Sequence, residues 1–297
     1  MNRYRQQSYV LLAAIAGALA ATIVLVALGL DALSLVLGGA VVAVSMLAIV
    51  AVSMRPIAAG QRRAKRRHAR HVRQTRQGQR RTRREVVEAE RRLFWQLEAL
   101  GALRDELDLR TPLGRTRGAA AAPDILLELV RTIDRTGATT VLETGSGIST
   151  VVIAARLKAV GGKVVALEHH AGYAEATRRD LEAQGLEDVA TVLDTPLVDT
   201  PIGDASWSWY DLSAADVPGD IGLLFVDGPP GRGERLARYP ALPMLRDHLA
   251  PGATIIVDDA ARPDEHEMVE RWQSEAEGME AAYLDLVKGA YVLTLPR

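Results

Sequence analysis

Three groups of residues in this chain have the types and spacing that could carry chemistry. The first is Glu143-Thr144-Gly145-Ser146-Gly147-Ile148-Ser149-Thr150, where an acid closes an apolar run and two glycines follow at once. Glycines permit torsions and a close backbone approach that a Cβ would block, and Ser149 or Thr150 can cap a helix beginning behind them. A strand, a glycine turn and a helix start in succession make a site for a nucleotide-like ligand. A dinucleotide fingerprint would place a third glycine where Thr150 stands and needs no carboxylate before the first, so Glu143 suits a cationic ligand group. The second group is Glu168, which ends the β-branched run 163–167 about twenty residues on, where a nucleoside site needs an acceptor for ribose hydroxyls. His169 follows it as a pocket-lining side chain. The third group is Asp227, ahead of Gly228-Pro229-Pro230-Gly231, together with the pair Asp258-Asp259. Three hard oxygen ligands can hold Mg²⁺ and lower the pKa of a bound hydroxyl. Without a metal, Asp227 or Asp259 can serve as a general base, and the plainest reading makes all three turn residues after strands.

These residues need a scaffold that brings strand ends together. Apolar runs at 139–142, 163–167, 189–193, 221–226 and 254–257 alternate with helical patterns at 124–136, 171–184, 234–249 and 263–273, and strands follow near 281–286 and 291–295. Such alternation predicts an α/β domain with a mostly parallel sheet. The third strand delivers Asp194 to the same edge as Glu143 and Glu168. Residues 207–211, rich in Trp and Tyr, fall in the long connection before the fourth strand and read either as an acceptor-stacking loop or as a loop packing its own hydrophobes. Arg232, Arg235 and Arg238 read as an anion site or as a solvated helix face.

The pattern Glu-x-Gly-x-Gly-x-Ser after a strand resembles motif I of the class I methyltransferases that use S-adenosylmethionine. The resemblance covers roughly the C-terminal two-thirds of the chain and implies a Rossmann-like seven-stranded sheet with flanking helices, its last strand antiparallel to its neighbours. It implies S-adenosylmethionine as cofactor, with Glu143, Gly145, Ser146, Gly147 and Ser149 around the methionine part. Glu168 and His169 fall on the ribose side, Asp194 on the adenine side, and Asp227 beside the cofactor. Asp227 and Asp258-Asp259 further resemble the divalent-metal site of catechol-type O-methyltransferases, whose strand ends carry Asp and Asp-Asn. Asp259 departs from that Asn, and the lysine those enzymes carry after the first metal acid is missing, since Pro230, Gly231 and Arg232 stand there. The implied reaction is methyl transfer to a hydroxyl of a small-molecule or lipid-linked acceptor. Two other readings are a non-catalytic cofactor-binding scaffold and a nicotinamide-dependent oxidoreductase.

The sequence divides into an expected two-helix transmembrane hairpin (1–55), a basic stem (56–84), an amphipathic helix with connector (85–122) and the methyltransferase domain (123–297). Residues 9–30 and 32–54 are uncharged apolar runs, each long enough for a hydrocarbon core of about 30 Å, separated by Asp31. Arg3 and Arg5 lie before the first run and a dense Arg cluster at 62–84 after the second, so the positive-inside bias predicts an integral protein of the cell membrane with both termini and the catalytic domain cytoplasmic. The basic stem then contacts anionic lipid headgroups in preference to nucleic acid, because the interleaved aromatics that single strands favour are absent. Fifteen of the 36 Lys and Arg but one of the 37 acids lie at or before Arg84, leaving a formal balance of −15 on the remainder. Val86, Leu93, Leu97, Leu100, Leu103 and Leu107 recur at helical spacing beside Phe94 and Trp95, an apolar stripe expected to pack on the same chain, with an oligomer left open. The absence of cysteine excludes disulfides, thiolate nucleophiles and zinc–thiolate sites.

Overall fold

The computed structural model describes residues 2–29, 32–114, 116, 118, 120–231 and 234–297; Asp31, Arg115 and Arg232 of the sequence reading lie outside them. The chain forms two compact units, Met1–Val87 and Glu88–Arg297. The first holds α1 (Asn2–Ala27) and most of α2 (Ala32–Glu106), a helix of 75 residues that continues into the second unit.

The expected pair of membrane spans is overturned. Among the described residues no helix is long and apolar enough to cross a membrane. The two-span anchor at 1–55, the integral cell-membrane assignment and the cytoplasmic topology built on it fall with that finding. Each apolar run is only part of a longer helix: α1 opens on Asn2, Arg3, Arg5, Gln6 and Gln7, and α2 runs without a break from its apolar start into the Arg-rich segment. Within this unit small residues bring the two helices together. A Cβ on Gly38 would meet Leu25 Cδ1 at 3.2 Å. A cavity of about 330 Å³ remains between the helices, lined by Ala14, Ala18, Val41, Ser45 and Ile49 among others.

In the second unit the elements run α3 (Pro123–Thr136), β1 (Thr140–Thr144), α4 (Ile148–Val160), β2 (Lys163–Glu168), α5 (Ala171–Gln184), β3 (Ala190–Asp194), β4 (Leu197–Ile202), β5 (Ala205–Tyr210), β6 (Ile221–Val226), α6 (Ala241–Leu245), β7 (Leu249–Asp258), α7 (Pro263–Glu275), β8 (Glu280–Leu284) and β9 (Ala290–Thr294). The main sheet has the order β3-β2-β1-β6-β7-β9-β8. β9 is antiparallel to β7 and β8, and the other pairings are parallel. This is the expected Rossmann-like mixed sheet with flanking helices.

Both faces of the sheet are covered, which is why its central strands are apolar throughout rather than alternating. Val141, Leu223 and Phe225 point into one core with α3, α4 and α5, while Leu142, Leu224 and Val226 point into the other with α6, α7 and β5. Ala99 and Leu103 of α2 and Leu107 just after it enter the first core, while Leu93, Phe94, Trp95 and Leu97 of the expected stripe stay exposed.

Two local expectations give way to other physics. The helix expected over 234–249 contracts to α6 and a 3-10 turn at Arg246–His248. Pro240 and Pro243 remove amide donors there, and Leu236 adopts a left-handed φ of 56°. Residues 207–210, expected in a connection, belong to β5 and pair with β4 in an antiparallel hairpin. Trp207, Trp209 and Tyr210 are buried in the second core, with Trp207 against Tyr239 at 4.9 Å between ring centroids, so they are packing residues.

α3 also fixes the turn between β8 and β9. Asp124 Oδ1 accepts from Ile125 N at 3.0 Å, and Oδ2 accepts from Val287 N at 2.8 Å across the domain. Replacing Asp124 with Ala removes a charge-assisted bond to a backbone amide, and urea unfolding of the full chain should show a loss of about 1–3 kcal/mol. Hydrogen exchange should quicken at Val287 while the amides of β1 keep their protection; unchanged exchange at Val287 would refute this account of the turn.

Candidate active site

β1 lies between β2 and β6, and the chain leaves it toward opposite sides of the sheet. That makes the carboxyl end of β1 a topological switch point, where open α/β sheets bind ligands. The register sets Thr144 beside Val226 and Val226 beside Val257, so the residues that follow, Gly145, Asp227 and Asp258, emerge together along one edge. Gly145 turns the chain with φ 100°, and its N–H donates to Leu167 O at 2.8 Å. Gly228 must also lack a side chain, because a Cβ there would collide with Tyr210 Oη and approach Thr144 O at 3.1 Å. Thr144 Oγ1 donates to Gly228 O at 2.9 Å and so ties the glycine loop to the loop after β6.

Glu143 is buried beneath this loop. Its two carboxylate oxygens accept from Ser149 Oγ and from Thr150 Oγ1, the latter at 2.7 Å, and Thr150 Oγ1 accepts in turn from Gly147 N at 3.0 Å. Glu143 therefore braces the first turn of α4 from below, and Ser149 bonds to it rather than capping the helix. Burial pushes the Glu143 carboxyl up to about 8, against the opposing pull of those two hydroxyl donors.

At the end of β2, Glu168 is buried and accepts from His170 N at 2.8 Å and from Ser146 Oγ at 3.1 Å. His169 Nδ1 lies 3.2 Å from Glu168 Oε1 without hydrogen-bond geometry, and its ring meets Tyr210 edge-on at 6.2 Å. Ser146, Glu168 and His169 are thus brought together beside the glycine loop. Asp194 ends β3 one strand further out, where it is exposed and held by Arg178 Nη2 at 2.6 Å.

Asp227, Asp258 and Asp259 converge, each offering a carboxylate oxygen within 4.8 Å of the others. That is the spacing a divalent ion would need, but two cations already bind these groups. Arg238 is buried, and its guanidinium donates to Asp227 O at 2.8 Å, Asp258 O at 3.0 Å, Asp227 Oδ1 at 3.2 Å and Asp259 Oδ2 at 3.0 Å. Lys288 Nζ lies 3.3 Å from Asp258 Oδ2 and 3.5 Å from Asp259 Oδ1. Arg262 adds an outer contact to Asp259 Oδ2 at 3.0 Å. A metal would have to displace Lys288 and share Asp227 and Asp259 with a guanidinium anchored on two main-chain carbonyls, so the residues present, with their own cations, do not fit one.

The charges in this cluster settle unequally. Burial, with Asp258 and Asp259 close by, pushes Asp227 up to about 7 against the opposing pull of Arg238 and Lys288. Asp258 is likewise raised by its burial. Burial also acts upward on Asp259, but Arg238, Lys288 and Arg262 outweigh it and hold this carboxyl below the usual range. A pocket of about 570 Å³ opens over the cluster, lined by Asp227, Pro230, Gly231, Arg262 and Lys288 among others.

The segment carrying the arginines that read as an anion site or a solvated helix face folds as turns; Arg238 points inward onto carboxylates of this chain, and Arg235 pairs with Glu267 outside. Lys288 carries no signal in the sequence. Lys288 sits in a turn some sixty residues from Asp227, and no local spacing connects the two.

Comparison with known proteins finds similarity over the same part of the chain. Residues 142–260 match the family model described as a methyltransferase domain, a span that begins in β1 and ends just after Asp259. The comparison with curated proteins finds no match. Among solved structures, an O-methyltransferase from Bacillus cereus in complex with SAH is 18% identical, covering 67% of this chain and 90% of that one at a TM-score of 0.47. The SAH-bound methyltransferase PaMTH1 of Podospora anserina is 15% identical over 68% and 88%, with a TM-score of 0.47. The O-methyltransferase TomG of Streptomyces achromogenes, in complex with SAM, is 18% identical over 68% and 89%, with a TM-score of 0.44. The match over residues 142–260 supports S-adenosylmethionine-dependent methyl transfer over the nicotinamide oxidoreductase.

Proposed function

We propose that the domain transfers the methyl group to a hydroxyl oxygen of a small molecule held in the pocket over Asp227. The observation that carries this reading is Asp227 itself. It is a carboxylate at the switch-point edge, poised near neutrality and facing a pocket large enough for such an acceptor. Glu143, Gly145, Ser146, Gly147 and Ser149 would surround the methionine part of the cofactor, and Glu168 with His169 its ribose.

The sulfonium is already activated, so the protein has to align acceptor and methyl and take one proton. Asp227 accepts the hydroxyl proton while an oxygen lone pair forms the new C–O bond. The C–S bond breaks with its electron pair passing to sulfur, which leaves S-adenosylhomocysteine, and the proton on Asp227 is lost to solvent. Asp259, held ionised by three cations, is the weaker base. The test is incubation of the full chain with methyl-labelled cofactor and a panel of hydroxyl- and amine-bearing small molecules. Methyl ethers are the expected products, and methylamines alone would overturn the oxygen reading.

On an acceptor from that panel, Asp227→Asn should lower kcat by about 10²–10⁴-fold while S-adenosylhomocysteine binds within a few-fold of wild type. The reactive form is the carboxylate, so kcat/KM should rise with pH to about 7 and level off above it, and the variant should lose that limb. A wild-type profile flat from pH 5 to 8 would count against Asp227 as the base.

Glu143 gives a second titration of opposite consequence. With its carboxyl near 8 it is largely protonated at pH 7, and an α-ammonium brought close favours the ionised form. Binding of S-adenosylhomocysteine at pH 7 should therefore release up to about one proton, read from calorimetry in buffers of different ionisation enthalpy. Glu143→Gln should abolish most of that release. Buffer-independent heats in the wild type would remove Glu143 from the cofactor's surroundings.

A further inference from the structure

The carboxylate cluster over which the acceptor pocket opens has its own cations, and they match what a divalent ion would supply. Arg238 and Lys288 bring two positive charges to Asp227, Asp258 and Asp259. They differ in how they are held. Arg238 is locked from several sides by carbonyls and carboxylates, with its side chain 5% exposed. Among the described residues Lys288 makes two longer contacts, both to carboxylates, and its side chain, 20% exposed, lines the pocket. One cation is therefore structural and buried, and the other reaches the space an acceptor would enter.

We propose that Arg238 and Lys288 take the place of a divalent metal in this methyltransferase. Arg238 neutralises the cluster and fixes the Asp227 carboxylate, and Lys288 donates a hydrogen bond to the acceptor oxygen, stabilising the charge that grows there as Asp227 removes its proton. This rests on the oxygen-acceptor reading above. It also narrows the acceptor to hydroxyls acidic enough to be deprotonated without a Lewis acid, such as phenols or enols, since an ammonium stabilises an oxyanion less than a coordinated ion does. A lysine suits the second position because its ammonium is a compact charge on a flexible stem, able to leave one acceptor group for another.

The experiment uses the full chain, with Mn²⁺ as the probe. Electron paramagnetic resonance of free Mn²⁺ should show no uptake by wild-type protein up to about 1 mM, with or without S-adenosylhomocysteine, and methylation of a phenolic acceptor should be unchanged by EDTA. Lys288→Met should lower kcat/KM for that acceptor at least tenfold with S-adenosylhomocysteine affinity unchanged, and Lys288→Arg should restore much of the loss. One Mn²⁺ bound per chain and lost in Asp259→Asn would overturn the replacement of the metal. Undiminished phenol methylation by Lys288→Met would overturn the role of the ammonium. Arg238→Met is a poor first variant because it strands buried carboxylates, so the test relies on wild type and the Lys288 substitutions. Absence of hydroxyl methylation, with Mn²⁺ still unbound, would sink the oxygen-acceptor reading and the Lys288 role while leaving the metal-free cluster standing.

Discussion

The buried guanidinium of Arg238 is the interaction on which the site depends. Two parallel strands, β6 and β7, end side by side, and each end leaves carbonyls and an acid pointing away from the sheet. Four carboxylates within one small volume, Asp227, Asp258, Asp259 and Glu265, would repel one another in an interior that screens poorly. Arg238 bonds to the main chain of both strand ends as well as to the side chains, and so fixes backbone and charge together. Its planar fork of donors makes this possible; a lysine at 238 could offset charge but could not span both carbonyls and two carboxylates at once. Removal of such a partner leaves buried charges uncompensated, typically at about 3–5 kcal/mol.

The other half of the site is organised by the glycine loop, and the two halves are bonded to each other. Gly145 packs against the backbone of Asp227 and Gly228, and Thr144 reaches across to Gly228. The loop after β1 and the loop after β6 are therefore packed and bonded to one another, so the position of Asp227 depends on the glycine loop. Tyr210 enters the same contact from the β4–β5 hairpin, its hydroxyl over Gly228 and without a hydrogen-bond partner. That hairpin was illegible in the sequence because its strands form a separate two-stranded sheet. Their aromatic residues pack on a core built by α6 and α7 rather than following the period of the main sheet.

Legibility followed the range of the interactions. The strands of the main sheet are continuous apolar runs closed by turn residues, so β1, β2, β3, β6 and β7 could be read locally, and with them the edge where Glu143, Glu168, Asp194, Asp227 and Asp258 emerge. The acid and glycines of the loop are legible at Glu143, but the bonds from Ser149 and Thr150 to its carboxyl depend on the fold of the first turn of α4. Arg238 and Lys288 answer the carboxylates from positions whose local sequence resembles a solvated surface. The N-terminal expectation fails because, among the described residues, no helix is long and apolar enough to cross a membrane; α2 joins an apolar stretch to a long basic one without interruption.

The placement of Lys288 links the remote parts of the fold to the chemistry. Its turn is held at one side by Asp124 at the start of α3 and at the other by the pairing of Gly289 and Lys288 carbonyls with the amides of Ala260 and Ala261. The backbone of 288 is thus fixed to the same short segment that carries Asp258 and Asp259, while its side chain keeps the freedom of a long unbranched stem. Asp227 and Lys288 thus line one pocket, the first from just beyond the end of β6 and the second from the turn between β8 and β9. In the proposed reaction an acceptor oxygen entering between them would give up its proton on one side and meet positive charge on the other.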